Sequence, residues 1–138
     1  MHAVVDTNVL LRMAAGERRS PLFVAWREKR FILVVSEGML SEFRDVAMRP
    51  KVRRFLPPLR GKKFTEMVQD LALFVTPARE FPHCRDPKDD VVIATAVTVR
   101  PCYIVTADRD LYDDADLVTT LRDLKVYVVR AGEFLDTL

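Results

Sequence analysis

The chain has 138 residues, 49% of them apolar and 30% charged, enough for one compact domain over residues 1–138 and hardly for two. No apolar run approaches the ~20 residues of a membrane span. The opening Met1-His2-Ala3-Val4-Val5-Asp6 has no basic-then-apolar leader, and Cys84 and Cys102 form neither a disulfide framework nor a CxxC metal pair, so a reducing, cytoplasmic setting is expected.

His2–Val5 is a short apolar run that reads as a strand ending at Asp6, and Asn8–Ala15 as a short helix. Ser20-Pro21 supplies an N-cap and a first helical residue for a helix to about Lys29. Phe31–Val35, continuous and β-branched, reads as a strand buried on both faces. Ser36 is placed to cap a helix running through Glu42 to about Met48, with Pro50 marking its end. From Leu59 to Phe74 the residues Phe64, Met67, Val68, Leu71 and Ala72 recur at helical spacing. Phe74–Thr76 reads as a short strand and Pro77–Arg85 as loop. Asp86-Pro87 opens a nearly all-apolar helix through Val99, and Tyr103–Thr106 and Val126–Val129 are two further strands. Alternating strands and helices predict an α/β domain: three α/β/α layers around a mainly parallel sheet.

The net charge of +2 is unevenly spread. Residues 1–69 hold 14 Lys/Arg against 7 Asp/Glu, and residues 70–138 hold 8 against 13. The densest basic stretch carries Arg44, Arg49, Lys51, Arg53, Arg54, Arg60, Lys62 and Lys63 against Asp45 alone. Such a run attracts a polyanion by counterion release, or simply solvates a pair of helices.

Parallel α/β sheets gather ligands outside the carboxyl ends of their strands. Asp6 ends the first strand, Asp108 follows the Tyr103–Thr106 strand, and Asp86, Asp89 and Asp90 open the helix that leads into that strand. Glu42 lies on a helix that starts at the same edge. Each has a plain alternative: Asp6 and Asp86 as helix caps, Asp89 as a first-turn acid, Glu42 as an exposed helix residue, and Asp110 as a loop acid. If they converge, their mutual repulsion calls for shared protons, Arg/Lys partners or a hard divalent ion.

Four segments resemble PIN-domain ribonucleases, in order and across almost the whole chain. They are Val4-Val5-Asp6-Thr7-Asn8, Ser41-Glu42-Phe43-Arg44-Asp45-Val46 with Arg49-Pro50-Lys51, Cys84-Arg85-Asp86-Pro87-Lys88-Asp89-Asp90-Val91, and Tyr103-Ile104-Val105-Thr106-Ala107-Asp108. The second is similar to the toxin subgroup of toxin–antitoxin systems. The resemblance implies a PIN-like fold and an acidic tetrad of Asp6, Glu42, Asp90 and Asp108 that is both catalytic and metal-binding. Asp90 is preferred to Asp89 because the matching pattern sets the acid directly before the apolar helix. Asn8, Thr106, Asp89 and Asp110 would orient ligands or reach the metal through water.

The implied chemistry is Mg²⁺- or Mn²⁺-assisted hydrolysis of single-stranded RNA, one ion activating water and a second stabilising the leaving 3′-oxygen. Arg44, Arg49, Lys51, Arg53, Arg54, Lys62 and Lys63 would guide the RNA. Apolar surface near Met39, Phe43, Phe55 and Leu56 would receive an antitoxin segment or a second protomer, unless Met39 and Phe43 simply pack in the helix interior. Two alternatives compete: a PIN fold kept as an RNA- or protein-binding module, and a haloacid-dehalogenase-type phosphatase. The latter needs a second Asp where this chain has Asn8.

Overall fold

A computed structural model describes residues 1–138. Five parallel strands, β1 (His2–Val5), β2 (Ile32–Val35), β3 (Leu73–Phe74), β4 (Cys102–Val105) and β5 (Val126–Val129), form one sheet in the order β3-β2-β1-β4-β5. Strand alternation divides the interior. Ala3, Val5, Leu33, Val35 and Val105 enter a core of 23 buried residues on one face. Val4, Val34, Ile104 and Val126 enter a core of 13 on the other.

The first core is closed by α1 (Thr7–Gly16), α2 (Pro21–Arg27), α5 (Pro58–Leu71) and α9 (Ala131–Asp136). The second is closed by α6 (Asp90–Ala96), α7 (Arg109–Tyr112) and α8 (Ala115–Asp123). The three-layer α/β/α expectation holds, with a sheet that is wholly parallel. Helix α3 (Glu37–Ala47) serves both cores: Leu40, Phe43 and Val46 face the first and Met39 the second. Met39, Phe43 and Leu56 are therefore core residues, each about 1% exposed, and of the expected docking residues only Phe55 is exposed.

Several local expectations shift. Ser20 does cap α2, accepting from the Phe23 N–H at 3.2 Å. Ser36 does not cap α3; its buried hydroxyl is hydrogen-bonded to that of Thr95 on α6, at 3.1 Å. Pro50 opens the additional short helix α4 (Pro50–Arg53) as its first residue. The third strand lies at Leu73–Phe74, paired Val34 to Leu73 and Val35 to Phe74. Asp86-Pro87 starts a 3-10 turn over Pro87–Asp89, and α6 begins only at Asp90 and stops at Ala96, short of Val99. Both cysteines are free and buried.

Strands β2 and β4 flank β1, and the crossovers leave β1 in opposite directions along the sheet. The switch point is thus the carboxyl end of β1 and β4. The register pairs Val5 with Val105, so Asp6 and Thr106 are the next residues out on neighbouring strands.

Candidate active site

Asp6 is 6% exposed. Its Oδ1 accepts the Val9 N–H at 3.0 Å, capping α1, and its Oδ2 accepts the Thr106 hydroxyl. Burial pushes its carboxyl up, against the lowering effect of those donors, and the nearby Asp108 adds to the rise. The Thr106 hydroxyl also accepts the Asp108 N–H at 2.9 Å, so one side chain locks the ends of β1 and β4 together. Asp108 in turn caps α7 by accepting the Asp110 N–H at 2.9 Å.

Around Asp108, the carboxylates of Asp86, Asp89, Asp108 and Asp110 each offer an oxygen within 4.8 Å of the others, all four half-buried. Asp86 caps the 3-10 turn, accepting the Lys88 N–H at 3.0 Å, and Asp89 is the last residue of that turn. Burial, a hydrogen bond with Asp108 and repulsion from Asp108, Asp86 and Asp6 push Asp89 up to about 7. The nearest compensating cation is Arg85. Its guanidinium lies 3.6 Å from Asp110 and 3.9 Å from Asp114 and donates to the Arg109 carbonyl at 3.1 Å.

Asp90 is placed differently. Its Oδ1 accepts the Cys84 N–H at 2.8 Å, and its Oδ2 lies 3.0 Å from Nδ1 of His83. Slight burial raises its pKa, but the Cys84 N–H and the His83 ring outweigh that and hold it below the usual carboxylate range. The family resemblance implies Asp90 in the tetrad; in the structure Asp90 is bound to the 83–84 loop, and Asp89 is hydrogen-bonded to Asp108. Glu42 meets the site through Thr7, whose hydroxyl donates to Glu42 Oε2 at 3.2 Å. Thr106 is buried as a positioning group, while Asn8 is exposed on α1.

Arg44, Arg49, Lys51, Arg53, Arg54, Lys62 and Lys63 are all exposed. Arg60 is not free: it pairs with Glu17 at 2.8 Å and donates to the Ala15 carbonyl at 3.0 Å, bracing α5 against the end of α1. Two features escaped the sequence reading. The Asp86-x-x-Asp89 spacing signals side-by-side acids only if the turn is known to be 3-10. The Arg85 clamp depends on α7, which carries too few apolar residues to announce itself.

Four carboxylates brought together at the switch point of a parallel α/β sheet form an acidic cluster of hard oxygen donors that could hold a divalent ion. The family comparison agrees: a family model described as the PIN domain matches residues 2–110, and the chain belongs to the PIN-domain family. PIN domains are generally nucleases. No curated protein sequence matches the chain.

The raised Asp89 carboxyl makes stability pH-dependent with a definite sign. A carboxyl whose folded pKa exceeds its unfolded value near 3.8 contributes stability below that value and loses it as pH rises towards about 7. Asp89→Asn is therefore expected to flatten the loss of thermal stability between pH 4 and about 7 in chelator. Added Mn²⁺, which favours the ionised cluster, raises the wild-type melting temperature little near pH 5 and more above pH 7. Scanning calorimetry of both proteins across that range checks it, and parallel curves would refute it.

Proposed function

We propose that the protein is a Mg²⁺- or Mn²⁺-dependent endoribonuclease that hydrolyses phosphodiester bonds of single-stranded RNA. The observation that carries this reading is the meeting of Asp6, Asp89 and Asp108 at the switch point, with Asp86 and Asp110 beside them and Asp89 pushed up to about 7. That charge lacks enough protein counterions, which favours a bound cation.

Asp89 and Asp108 would hold the ion directly, with Asp6 behind them and Asp86 and Asp110 at the rim. An ion held there supplies a Lewis acid that offsets phosphate charge and lowers the pKa of water. Thr106 fixes the carboxylate of Asp6 and the backbone of Asp108. Glu42, held by the Thr7 hydroxyl next in the chain to Asp6, would act from beside the cluster. Asp90 keeps the 83–84 loop in place, and the exposed cations from Arg44 to Lys63 would hold the rest of the strand.

Two details favour this over the alternatives. Both oxygens of Asp6 are engaged and Asn8 is exposed, which leaves no free nucleophile pair for a phosphatase. The acids are present, as a mere binding module would not require. Met48, Phe55 and Leu59 are exposed near the basic stretch, at 60%, 51% and 81%. We assign that surface to an antitoxin segment, with a second protomer as the other occupant to test. A toxin working on cellular RNA belongs in the cytoplasm.

Purified protein should cut a fluorescent single-stranded RNA with Mn²⁺ or Mg²⁺. EDTA should stop cleavage and Asp108→Asn should abolish it. Equal cleavage by Asp108→Asn would mark a contaminant and defeat the proposal, and RNA binding without fragments would identify a binding module.

A further inference from the structure

A cavity adjoins the acidic cluster through Thr106 and Ala107. It has a volume of about 420 Å³ and an apolar wall of Val9, Met13, Leu22 and Leu135. Arg12 on α1 and Arg130 at the start of α9 also line it, and no acid does. Neither arginine pairs with a carboxylate. Arg130 is nonetheless held: its guanidinium lies 4.4 Å from the centre of the Tyr112 ring and donates to the Tyr112 hydroxyl at 2.6 Å. An ordered guanidinium loses less freedom on meeting a phosphate or stacking on a base.

The two sites share a wall. Thr106 lines the cavity while its hydroxyl grips Asp6 and the Asp108 backbone, and only Ala107 lies between Thr106 and Asp108. Two residues span at most about 7 Å, so adjoining nucleotides of one strand can occupy both. The charges are complementary: the acidic side takes a phosphate only through a cation, and the arginine side takes one directly.

We propose that this cavity is a nucleotide subsite, in which the apolar wall receives one base of single-stranded RNA and Arg12 and Arg130 hold its phosphate. The proposal rests on the nuclease reading and names where the nucleotide beside the scissile phosphate is held. An apolar wall reads no hydrogen-bonding edge, so the subsite tolerates different bases.

The test uses the RNA trinucleotides UpUpU and ApApA in EDTA, where nothing is cut. Both are expected to shift the backbone amide signals of Thr106, Ala107, Ala131 and Gly132. Arg12→Gln and Arg130→Gln should each weaken binding about tenfold, as for loss of one charge-assisted contact. In Mn²⁺ they should raise KM for a longer RNA by a similar factor and leave kcat nearly unchanged, because the contact is made equally before and during reaction. Gly132→Leu offers a blocking variant, since a Cβ there meets nothing within 4 Å; it should lose binding while melting at or above the wild-type temperature.

Shifts confined to residues 44–63, or unchanged affinity in all three variants, would overturn the subsite while leaving wild-type cleavage intact. Shifts at these amides from an acidic, leucine-containing peptide and not from RNA would overturn it in favour of a protein ligand. Shifts from RNA in a wild-type protein that never cleaves would uphold the subsite and defeat the nuclease reading.

Discussion

Asp89→Asn is expected to lower kcat/KM for single-stranded RNA about a thousandfold, and Asp90→Asn only about ten- to a hundredfold. The two acids are neighbours in the chain but have different partners. Asp89 is hydrogen-bonded to Asp108 and feels Asp6, so its removal takes an acid from the centre of the cluster. Asp90 holds Cys84 N–H and His83. Cys84 Sγ lies 3.3 Å from the Asp110 carbonyl and 3.8 Å from Asp89, so loosening that loop disturbs the cluster at one remove. Mn²⁺ titrations of both variants separate the roles: Asp89→Asn should lose tight binding, and Asp90→Asn should retain it with weakened affinity. An inactive Asp90→Asn beside an active Asp89→Asn would reverse the assignment.

The second large effect is on stability. Phe64 of α5 is 1% exposed and sits among three other rings, Phe43 at 5.3 Å, Trp26 at 5.7 Å and Phe23 at 6.4 Å. It is the common neighbour through which α2, α3 and α5 pack. Phe64→Ala removes that ring from a core whose helices cannot close over the gap, and should cost about 3–5 kcal/mol in urea-induced unfolding. At this chain length that corresponds to a fall of roughly 10–15 °C in melting temperature. Phe64→Leu, which keeps most of the volume, should cost far less. A loss below about 1 kcal/mol for Phe64→Ala would show that the four-ring cluster is not a packing centre.

Much of this architecture was legible because its signals are local and strong. The apolar runs at His2–Val5, Phe31–Val35, Tyr103–Thr106 and Val126–Val129 lie on strands within a residue or so at each end. The carboxyl-edge argument then placed Asp6 and Asp108 correctly from strand order alone. Besides the single-turn α4, three helices have no clear sequence signal. In α8 only Leu117 and Leu121 are buried, a single i,i+4 pair without a longer stripe. Helices α7 and α9 are too short for any periodicity to develop.

The choice between Asp89 and Asp90 was beyond the sequence for a different reason. Helix α6 is apolar on nearly every side, so its phase gives no clue to which acid faces the pocket. What the structure adds is the 3-10 turn that precedes it, after which Asp89 lies in the cluster with Asp86 while Asp90 faces the 83–84 loop. Arg60 shows the same limit on the basic flank: composition counts it with its neighbours, and only the fold reveals its partner Glu17.

The bond between Thr106 and Asp6 joins residues 100 positions apart. Closing so long a loop is slow and is rewarded only when β4 docks beside β1. On the ribosome, Asp6 emerges early and waits, while its partners Asp89, Thr106 and Asp108 are still unsynthesised or threaded through the exit tunnel. A half-made polypeptide therefore holds no assembled acidic mouth. Any activity that needs the assembled cluster is thus delayed to the end of translation.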